Sequence, residues 1–492
     1  MTAEPVVRRL RWLTIAVVLV LVASVALRFL SFSPMWLDEA QTVAIARRSL
    51  PHLFTALRED GSPPLYYVVL HAWMSLVGTG TVAIRALSGV ISALTLPLVW
   101  LAARRLGADR RLALVGVLLL ATNPFAIRYA TEARMYSLVI ALWLIAFLLL
   151  TRWWRDGSWW HAAFGALTVA ALLLTQYWAL FAVAAVGIWA LVIARRGERR
   201  GWWLLLLLAF GCVGFLPWVS SFYFQLRHTG APWGSPPSLG TAVDSPFAWA
   251  GAGPLGADII LGLAYYALLA FALRTRRRAA ALLAGVGFAT MFIGVSVSEV
   301  VGSAYAVRYS AIALAPFLLA VMLGVATISA RLQPRLVAGV VVVGLVVCAA
   351  YPFKSRSQAD QVADVLAQAG PTDSVVFCPD QLGPAVHRLA PGVGHQVVYP
   401  TMGSPEMVDW VDYKTRNEAA NPASFADAVV ANTPRDAAIW LVYADEYPTF
   451  GNACTELLVD LALKRGAPEP EIDQTTGVVE KDNLVRYVPA AP

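Results

Sequence analysis

Ionisable residues outside the arginine-rich loops gather in a few segments that flank apolar runs of the sequence. Asp38 and Glu39 directly follow the first apolar run, in the stretch "PMWLDEAQ", and "RYATEARMY" and "YAVRYS" place arginines and tyrosines beside later runs. A carboxylate could take a proton from a hydroxyl group or hold a cation. Arginines could bind a phosphate with paired hydrogen bonds. These residue types predict group transfer from a lipid-linked phosphate, with a carboxylate as the base and arginines stabilising the leaving phosphate.

The composition indicates a membrane protein. Of the 492 residues, 58% are hydrophobic and 14% are charged, whereas soluble domains average about 45–50% and about 25%. The net charge of +7 does not indicate a nucleic-acid partner, because the arginines cluster in short loops between apolar runs, as expected for a topology signal. The sequence has no Walker-type loop, no His/Cys zinc pattern and no Gly-x-Ser-x-Gly elbow, which argues against those ATP, zinc and serine-hydrolase sites.

The apolar runs predict a polytopic helical protein, since about 17–25 apolar residues can span a bilayer as a helix. The candidate spans are approximately 12–30, 82–103, 112–127, 137–151, 159–175, 178–194, 202–220, 255–273, 279–298, 306–329 and 334–351. A further run, 64–79, begins after Pro63. If it lies in the interface rather than spanning, every arginine-rich loop falls on one side. We therefore predict eleven spans, a cytoplasmic N-terminus and an extracytoplasmic C-terminus.

Residues 352–492 form a second predicted domain, because the composition changes after residue 351. Short apolar runs at 374–379, 396–400, 437–445 and 484–489 alternate with helical patterns near 357–369, 422–432 and 453–465. This alternation predicts a small α/β domain beside a transmembrane catalytic domain of residues 1–351. Cys378 ends a predicted strand and Cys454 begins a predicted helix. In an oxidising compartment they are the candidate disulfide pair, with two separate buried thiols as the alternative.

Two external segments are expected to lie near the site of the predicted reaction. Residues 39–50 are expected to form an amphipathic helix on the membrane surface. Residues 222–254 are rich in Gly, Pro, Ser and aromatic residues, which predicts a mobile loop that covers a site.

Several stretches, taken in order, resemble the GT-C superfamily of membrane glycosyltransferases. They are "WLDEA", "DGSPPLYYVVLHAW", "RALSGVISALTLPLVWLAARRLG", "NPFAIRYATEARMYSL" and the later "VRYSAIALAPFLL". The chain is most similar to the branch that contains protein O-mannosyltransferases, lipid A aminoarabinose transferases and RgtA/B/C/D-like sugar transferases. The resemblance covers about residues 10–350 and implies about eleven transmembrane helices, with juxtamembrane helices in the first external loop. It also implies a polyprenyl-phosphate sugar donor and an inverting transfer at the outer face of the membrane.

The resemblance suggests roles for single residues. The family's catalytic carboxylate maps onto Asp38, and Glu39 beside it would tune or position that base. The donor or phosphate-binding candidates are Arg128, Glu132, Arg134, Tyr136, Arg308 and Tyr309. The acceptor or pocket candidates are Asp60, Tyr66, His71, Gln176, Tyr177 and His228. Any one of these residues could instead anchor a helix end, as Arg and Tyr often do.

The sequence departs from its relatives at two places. It lacks the Arg-x-x-x-Leu-Asp run that O-mannosyltransferases carry after the third helix, and it has Gln176 where relatives often have a histidine. The exact substrate and a requirement for a divalent cation therefore stay open. The residue usage suggests a high-GC organism such as an actinobacterium. The expected donor is then decaprenyl-phosphate arabinofuranose or polyprenyl-phosphate mannose, and the expected acceptor is a cell-envelope glycan, a lipoglycan or a protein.

Two other functions fit part of the pattern. A transporter or flippase of polyprenyl-linked sugars would also need a lipid-phosphate site. However, transporters usually carry ionisable residues near the middle of the membrane, whereas the spans here are nearly free of charge. A non-catalytic assembly protein with an external binding domain is the third possibility.

Overall fold

The computed structural model describes residues 4–229, 234, 236–275, 277–301, 305–445, 447 and 449–488. The chain forms two compact units. The helical unit comprises Met1–Ser31, Val82–Val219 and Pro236–Pro352, and the α/β unit comprises Phe32–Thr81, Ser220–Ser235 and Phe353–Pro492. The division after Pro352 lies next to the boundary expected from the composition. Phe32–Thr81, which the sequence predicts to be the first external loop, and Ser220–Ser235 belong to the same unit as the C-terminal residues.

Helices dominate the described residues. The first half of them, in chain order, are α1 (Glu4–Leu27), α2 (Leu37–Ala46), α3 (Leu50–Asp60), α4 (Leu65–Val77), α5 (Thr81–Arg105), α6 (Arg110–Ala121), α7 (Pro124–Ala130), α8 (Tyr136–Asp156), α9 (Trp159–Leu173), α10 (Ala179–Arg195) and α11 (Arg199–Val213). The others are α12 (Val219–His228), α13 (Leu239–Ala250), α14 (Ala257–Arg274), α15 (Arg278–Val301), α16 (Ala311–Val325), α17 (Gln333–Ala349), α18 (Ala359–Leu366), α19 (Gly383–Leu389), α20 (Tyr413–Glu418), α21 (Pro422–Asn432) and α22 (Ala453–Arg465).

Every predicted span contains a helix of the structure. By length and composition, six helices in the described part of the chain could cross a membrane, or up to eight if each of two bent pairs is one span. Shorter apolar helices account for several other predicted spans. The polytopic helical architecture is therefore confirmed, and the count of eleven spans stays a prediction. The run at 64–79 is the short helix α4, which belongs to the α/β unit.

A bend of 56° separates α6 from α7. Asn123 lies between the two helices in extended backbone, and its side-chain oxygen accepts a hydrogen bond of 2.9 Å from the backbone N–H of Ala126. Pro124 occupies the first helical position, where its missing N–H costs nothing. This new helix start directs the chain into the segment that carries Arg128.

Arg28 fixes the end of α6 inside the helical unit. Its guanidinium group donates hydrogen bonds of 2.9 Å and 3.0 Å to the backbone oxygens of Ala121 and Leu120, and one of 3.1 Å to Ser92 Oγ. The last carbonyls of a helix lack partners within the helix and carry its negative dipole end. The buried cation therefore satisfies these oxygens and joins α6 to residues just beyond α1.

A five-stranded mixed sheet forms the centre of the α/β unit. Its strands are β1 (Ser374–Cys378), β2 (His395–Val398), β3 (Ile439–Tyr443), β4 (Glu469–Ile472) and β5 (Asn483–Tyr487), in the spatial order β2-β1-β3-β5-β4. The first three are parallel, with Val376 opposite both Val397 and Leu441, whereas β5 runs antiparallel to β3 and β4. The predicted α/β domain is thus confirmed.

Both faces of the central strands β1 and β3 are buried, as their continuous apolar sequences require. Val376 and Leu441 join the core on one face, and Val375 and Trp440 join the core on the other. Residues of the first external loop complete both cores: Trp36 and Leu37 pack into the first, and Ala40 into the second.

Several local expectations were wrong. The expected amphipathic surface helix at 39–50 is instead α2 and the start of α3, and α2 is buried because it packs into the cores described above. The expected mobile loop at 222–254 is largely helical, in α12 and α13, while residues 230–233 and 235 lie outside the described residues. The strand β4 and the short helices α19 and α20 were not anticipated.

A disulfide bond joins Cys378, the last residue of β1, to Cys454 in the first turn of α22, with their Cα atoms 5.5 Å apart. The bond closes a loop with a sequence separation of 76 residues. Replacing both cysteines with alanine is expected to lower the free energy of unfolding by about 4 kcal/mol, because the unfolded chain regains loop entropy. The double variant should therefore unfold at a lower temperature than the wild type. A reducing agent should lower the unfolding temperature of the wild type but not that of the double variant.

The matched control is Cys212→Ala, which removes a cysteine that is not in a disulfide. This variant should unfold like the wild type and respond to the reducing agent in the same way. If full reduction left the unfolding temperature of the wild type unchanged, the predicted stabilisation would be contradicted.

Candidate functional site

Asp38 stands out on α2 by its exposure. Nine of the ten residues of this helix are buried. Within the helix, all of which is described, Asp38 alone is half-buried. The aliphatic side chains of Val43 and Ile45 are almost fully buried. Their burial explains why the helix lies in a core although it carries two acids. Asp38 is consequently the residue of α2 that a water-borne reactant can reach.

The N-terminus of α2 is held by the C-terminal part of the α/β unit. Trp36 precedes the helix without a side-chain cap, and the N–H of Leu37 instead donates a hydrogen bond of 3.2 Å to Glu480 Oε1. A carboxyl oxygen at this position satisfies a donor that has no partner within the helix. Leu37, the residue directly before Asp38, is therefore held by a side chain from near β5.

Gln41 fixes the same helix one turn later. Its amide makes two opposed hydrogen bonds to the backbone of Val408: Nε2 donates to the carbonyl oxygen at 2.9 Å, and Oε1 accepts from the N–H at 2.8 Å. Nε2 also donates to Asp60 Oδ1 at 2.8 Å. Because all of these groups are largely buried, the pairing replaces water without leaving amide atoms unsatisfied.

Glu39, the neighbour of Asp38, forms a buried ion pair. Its Oε2 lies 3.5 Å from Arg356 Nη1, and the two side chains are 0% and 3% exposed. The backbone of Arg356 is also fixed, since its oxygen accepts from the N–H groups of Val479 and Glu480, and its N–H donates to Ser33 Oγ at 2.8 Å. Glu39 is thus an internal counter-charge, and its geometry suits a positioning role rather than contact with a substrate.

Two further acids lie buried beside this ion pair. Burial raises the pKa of Glu480 well above its ordinary value, and the nearby Asp482 and Asp38 raise it further, while hydrogen bonds from Ser357 and Leu37 oppose the rise. Burial, followed by repulsion from Asp360, raises the pKa of Asp482 to about 7. Burial therefore favours the neutral form of Glu480, and Glu39 is the acid that forms an ion pair with the buried Arg356.

The motif "DGSPP" forms the turn between α3 and α4. Gly61 ends α3 in the left-handed region with φ 87°, which strongly favours glycine at that position. Asp60, just before it, accepts hydrogen bonds from Gln41 Nε2 and, at 3.1 Å, from Tyr67 OH. The carboxylate of Asp60 thus joins α2, α3 and α4.

The other pocket candidates of the α/β unit make internal contacts. Tyr66 is fully buried and meets Tyr67 edge to face. His71 Nδ1 lies 2.8 Å from the backbone oxygen of Ala46, at the C-terminal end of α2. His228 Nδ1 lies 3.0 Å from Asp412 Oδ1. The contacts of Tyr66 and His71 lie within the segment that carries Asp38, and an acceptor-binding role for the three residues stays a prediction.

In the helical unit, the donor candidates gather around Tyr129. Arg128 Nη2 lies 3.6 Å from Glu132 Oε1, one helical turn later. Arg128, Glu132, Tyr136 and Arg308 all interact electrostatically with Tyr129, whose ring meets that of Tyr136 at 4.9 Å. The structure thus brings two segments that are distant in sequence, around residues 128–136 and 308, into one cluster with two arginines.

Arg134 and Tyr309 lie at the margins of these segments. The backbone oxygen of Arg134 accepts a hydrogen bond of 3.2 Å from Ser88 Oγ, and its N–H donates to the oxygen of Glu132. The guanidinium carbon of Arg308 lies 5.7 Å from the ring centre of Tyr309. The backbone of residues 132–134 is therefore held by its own turn and by α5.

Gln176 and Tyr177 open the turn before α10. Tyr177 OH accepts a hydrogen bond of 2.9 Å from Trp218 Nε1. Gln176 is 5% exposed, and neither atom of its amide has a hydrogen-bond partner among the described residues. Buried amides normally have partners, so Gln176 is a polar side chain whose hydrogen-bonding capacity the fold does not use.

Among the described residues, no group of three or more His, Cys, Asp or Glu could hold a metal ion. Sequence reasoning missed Arg356, Glu480 and Gln41, which position α2. Arg356 is a single arginine shortly after the last apolar run, and Glu480 lies in a stretch without periodicity. Neither position carries a local signal that could have identified it.

Comparisons with known proteins agree with this fold. The family model "Dolichyl-phosphate-mannose-protein mannosyltransferase" matches residues 61–220. No curated protein sequence matches the chain. The crystal structure of ArnT from Cupriavidus metallidurans in the apo state has a TM-score of 0.62 at 13% identity and covers 99% of this chain and 100% of its own.

Two other solved structures are similar. ArnT from the same organism bound to undecaprenyl phosphate has a TM-score of 0.61 at 13% identity, over 98% of this chain and 99% of its own. The Archaeoglobus fulgidus oligosaccharyltransferase in complex with Zn and sulfate has a TM-score of 0.53 at 12% identity, over 87% of this chain and 68% of its own. The chain therefore shares the fold of these membrane-protein structures, and its residues 61–220 match the mannosyltransferase family model.

Proposed function

We propose that the protein transfers a sugar from a polyprenyl-phosphate donor to a hydroxyl group of a cell-envelope glycan, a lipoglycan or a protein at the outer face of the membrane. The observation that carries the proposal is Asp38, the half-buried carboxylate on an otherwise buried helix. The similar ArnT is described with undecaprenyl phosphate bound, which supports a donor of that lipid class.

In the proposed reaction, Asp38 acts as the general base. An oxygen of its carboxylate takes the proton of the acceptor hydroxyl, and the hydroxyl oxygen attacks the anomeric carbon of the sugar. The bond between that carbon and the phosphate oxygen breaks, and polyprenyl phosphate leaves with the bonding electrons. One displacement inverts the configuration at the anomeric carbon. A base held by a rigid helix suits this role, because little conformational entropy is lost when its carboxylate is oriented toward the acceptor hydroxyl.

The arginine cluster of the helical unit is proposed to bind the donor phosphate. Arg128 and Arg308 lie around Tyr129 with Glu132 as the single acid of that cluster. Two guanidinium groups against one carboxylate leave a net positive charge, which stabilises a phosphate dianion as it leaves. Gln176, with its unused amide, is proposed to bind a sugar hydroxyl, which is both a donor and an acceptor of hydrogen bonds.

The purified protein should be tested against a panel of polyprenyl-phosphate sugars. Decaprenyl-phosphate arabinofuranose and polyprenyl-phosphate mannose come first, because they are the donors expected from the sequence and the matching family model is named for mannose transfer. We expect labelled sugar to move into a membrane acceptor fraction with release of an equal amount of polyprenyl phosphate. Movement of intact labelled lipid across a vesicle, without release of polyprenyl phosphate, would instead support a flippase.

The proposed topology has its own test. Alkaline phosphatase fused after Asp60 is expected to be active, because that position should face the oxidising outer side, and a fusion after Gly107 should be inactive because it follows an arginine-rich loop. Equal expression of both fusions is the control. The reverse activities would contradict the proposed orientation and place the C-terminal domain in the cytoplasm.

A further inference from the structure

An apolar cavity of about 420 Å³ lies within the helical unit, between α5, α8, α9, α10, α11 and α15. Its wall is formed almost entirely by apolar side chains, among them Trp143, Ala182 and Leu283. The exceptions that carry charge are Arg105 and Arg155, in the last turns of α5 and α8. The cavity thus combines a hydrocarbon-like interior with two cations at one end.

The cavity has the length of a lipid chain. Trp143 and Arg155 both line it and are twelve residues apart on α8, which corresponds to about 18 Å at 1.5 Å per helical residue. A linear hydrocarbon chain could therefore lie along α8 with its polar head at the arginines.

The guanidinium group of Arg105 has unused hydrogen-bonding capacity. Its Nε donates to Thr151 Oγ1 at 3.4 Å, but its buried Nη2 has no hydrogen-bond partner among the described residues. Arg152 and Arg155 are close enough to repel it electrostatically. Buried donors of this kind normally have a partner, and an anionic oxygen would satisfy the donor and offset the repulsion together.

The one acid near these arginines is already engaged. Asp156 Oδ2 lies 3.4 Å from Arg152 Nε and 3.6 Å from His161 Nδ1. Within the described residues, the cluster of Arg105, Arg152 and Arg155 therefore keeps a net positive charge that protein groups do not neutralise.

This arginine cluster is separate from the proposed donor-phosphate site. Tyr136, which belongs to the donor cluster, is the first residue of α8, and Arg155 is near its end. Nineteen helical residues separate them by about 28 Å, close to the thickness of the hydrocarbon core of a bilayer. The two arginine groups would accordingly meet phosphates at opposite ends of the helix.

We propose that this cavity binds one anionic phospholipid, with an acyl chain inside it and the phosphate bound by Arg105 and Arg155. Charge complementarity decides the occupant: basic pockets between transmembrane helices bind anionic headgroups, and a zwitterionic lipid would bring its own cation to a positive cluster. The site is independent of the proposed transfer reaction and would hold a lipid from the leaflet on the arginine-rich side.

The test is native mass spectrometry of the purified full-length protein with dioleoylphosphatidylglycerol and dioleoylphosphatidylcholine. We expect one tightly bound phosphatidylglycerol, and we expect its affinity to fall by about tenfold or more in the Arg105→Gln/Arg155→Gln variant, since two charged hydrogen-bonding contacts are lost. Ala182→Leu, which keeps both arginines but fills the apolar part, should weaken binding as well. Phosphatidylcholine should bind weakly to every variant.

The matched control is Arg195→Gln/Arg274→Gln, which removes the same charge from two exposed arginines at helix ends outside the cavity. This control should retain the affinity of the wild type. Equal affinity of the wild type and the Arg105→Gln/Arg155→Gln variant, an equal loss in the control, or equal binding of phosphatidylcholine would each overturn the proposal. The proposal would also be overturned if the Arg105→Gln/Arg155→Gln change weakened the binding of polyprenyl phosphate but not that of phosphatidylglycerol. The cavity would then be a site for the carrier lipid.

Discussion

Replacing Asp38 with asparagine is expected to lower the rate of sugar transfer by about 10²–10⁴-fold, the usual contribution of a general base. Asparagine keeps the size and the polarity of the side chain but cannot accept the proton of the acceptor hydroxyl. Asp38 is half-buried and its neighbours on α2 carry the packing of the helix. The fold should therefore survive the change. The measurement is the initial rate of transfer from the polyprenyl-phosphate sugar identified by the donor panel.

Two further readouts separate catalysis from folding. The affinity for the donor lipid and the thermal unfolding temperature of Asp38→Asn should match those of the wild type, because the loss lies in the chemical step. Asp364→Asn is the matched control, since it makes the same chemical change on an exposed side chain of α18. It should leave the transfer rate unchanged. Full activity of Asp38→Asn would exclude the proposed mechanism, even if the protein is a glycosyltransferase that uses another base.

The role of Asp38 stays a prediction, whereas the environment of its helix differs from the one expected from the sequence. The alternation of apolar and polar residues at 39–50 predicted a helix with one face in water. The structure buries both faces, because Leu37 and Ala40 enter the two cores of the α/β unit. The partners that complete this environment are distant: Leu37 and Glu480 are 443 residues apart. Local periodicity contains no information about such partners.

The segment 222–254 shows that the amino-acid composition of a segment also contains no information about its tertiary partners. Its glycines and prolines predicted a loop, but α13 forms with Pro246 inside it. Trp249 explains the difference, since its ring is 1% exposed and its Nε1 donates a hydrogen bond of 2.8 Å to Ser310 Oγ. Tertiary burial of a large side chain outweighs the low helix propensity of a proline. For α21 and α22, by contrast, the prediction from the sequence gave the observed bounds.

The ion pair between Glu39 and Arg356 connects the C-terminal residues to the helix that presents Asp38. Arg356 lies just after the last helix of the helical unit in sequence, and Glu480, whose N–H bonds to its backbone, lies close to β5. Both residues bind the first turn of α2. The C-terminal residues therefore help to hold the helix that presents Asp38, and we expect changes in them to affect the transfer reaction without touching a substrate.

Arg356→Met is expected to lower the free energy of unfolding by about 3–5 kcal/mol, because Glu39 would remain as an uncompensated charge in a buried site. Methionine fills a similar volume, so the loss reports the charge rather than a cavity. The measurement is the thermal or denaturant-induced unfolding of the purified protein. The transfer rate should fall with it, because the first turn of α2 would shift.

A second variant distinguishes the ion pair from general disruption. In Glu39→Leu/Arg356→Met, both charges are replaced by apolar side chains, and replacing a whole buried pair is often neutral for stability. The double variant should therefore regain most of the stability that the single variant loses, which gives a large coupling energy in a double-mutant cycle. Lys354→Met, which removes an exposed cation two residues away, is the control and should unfold like the wild type. A single variant as stable as the wild type would show that Glu39 is neutralised by another group, and a double variant no more stable than the single one would show that Arg356 acts through its packing alone.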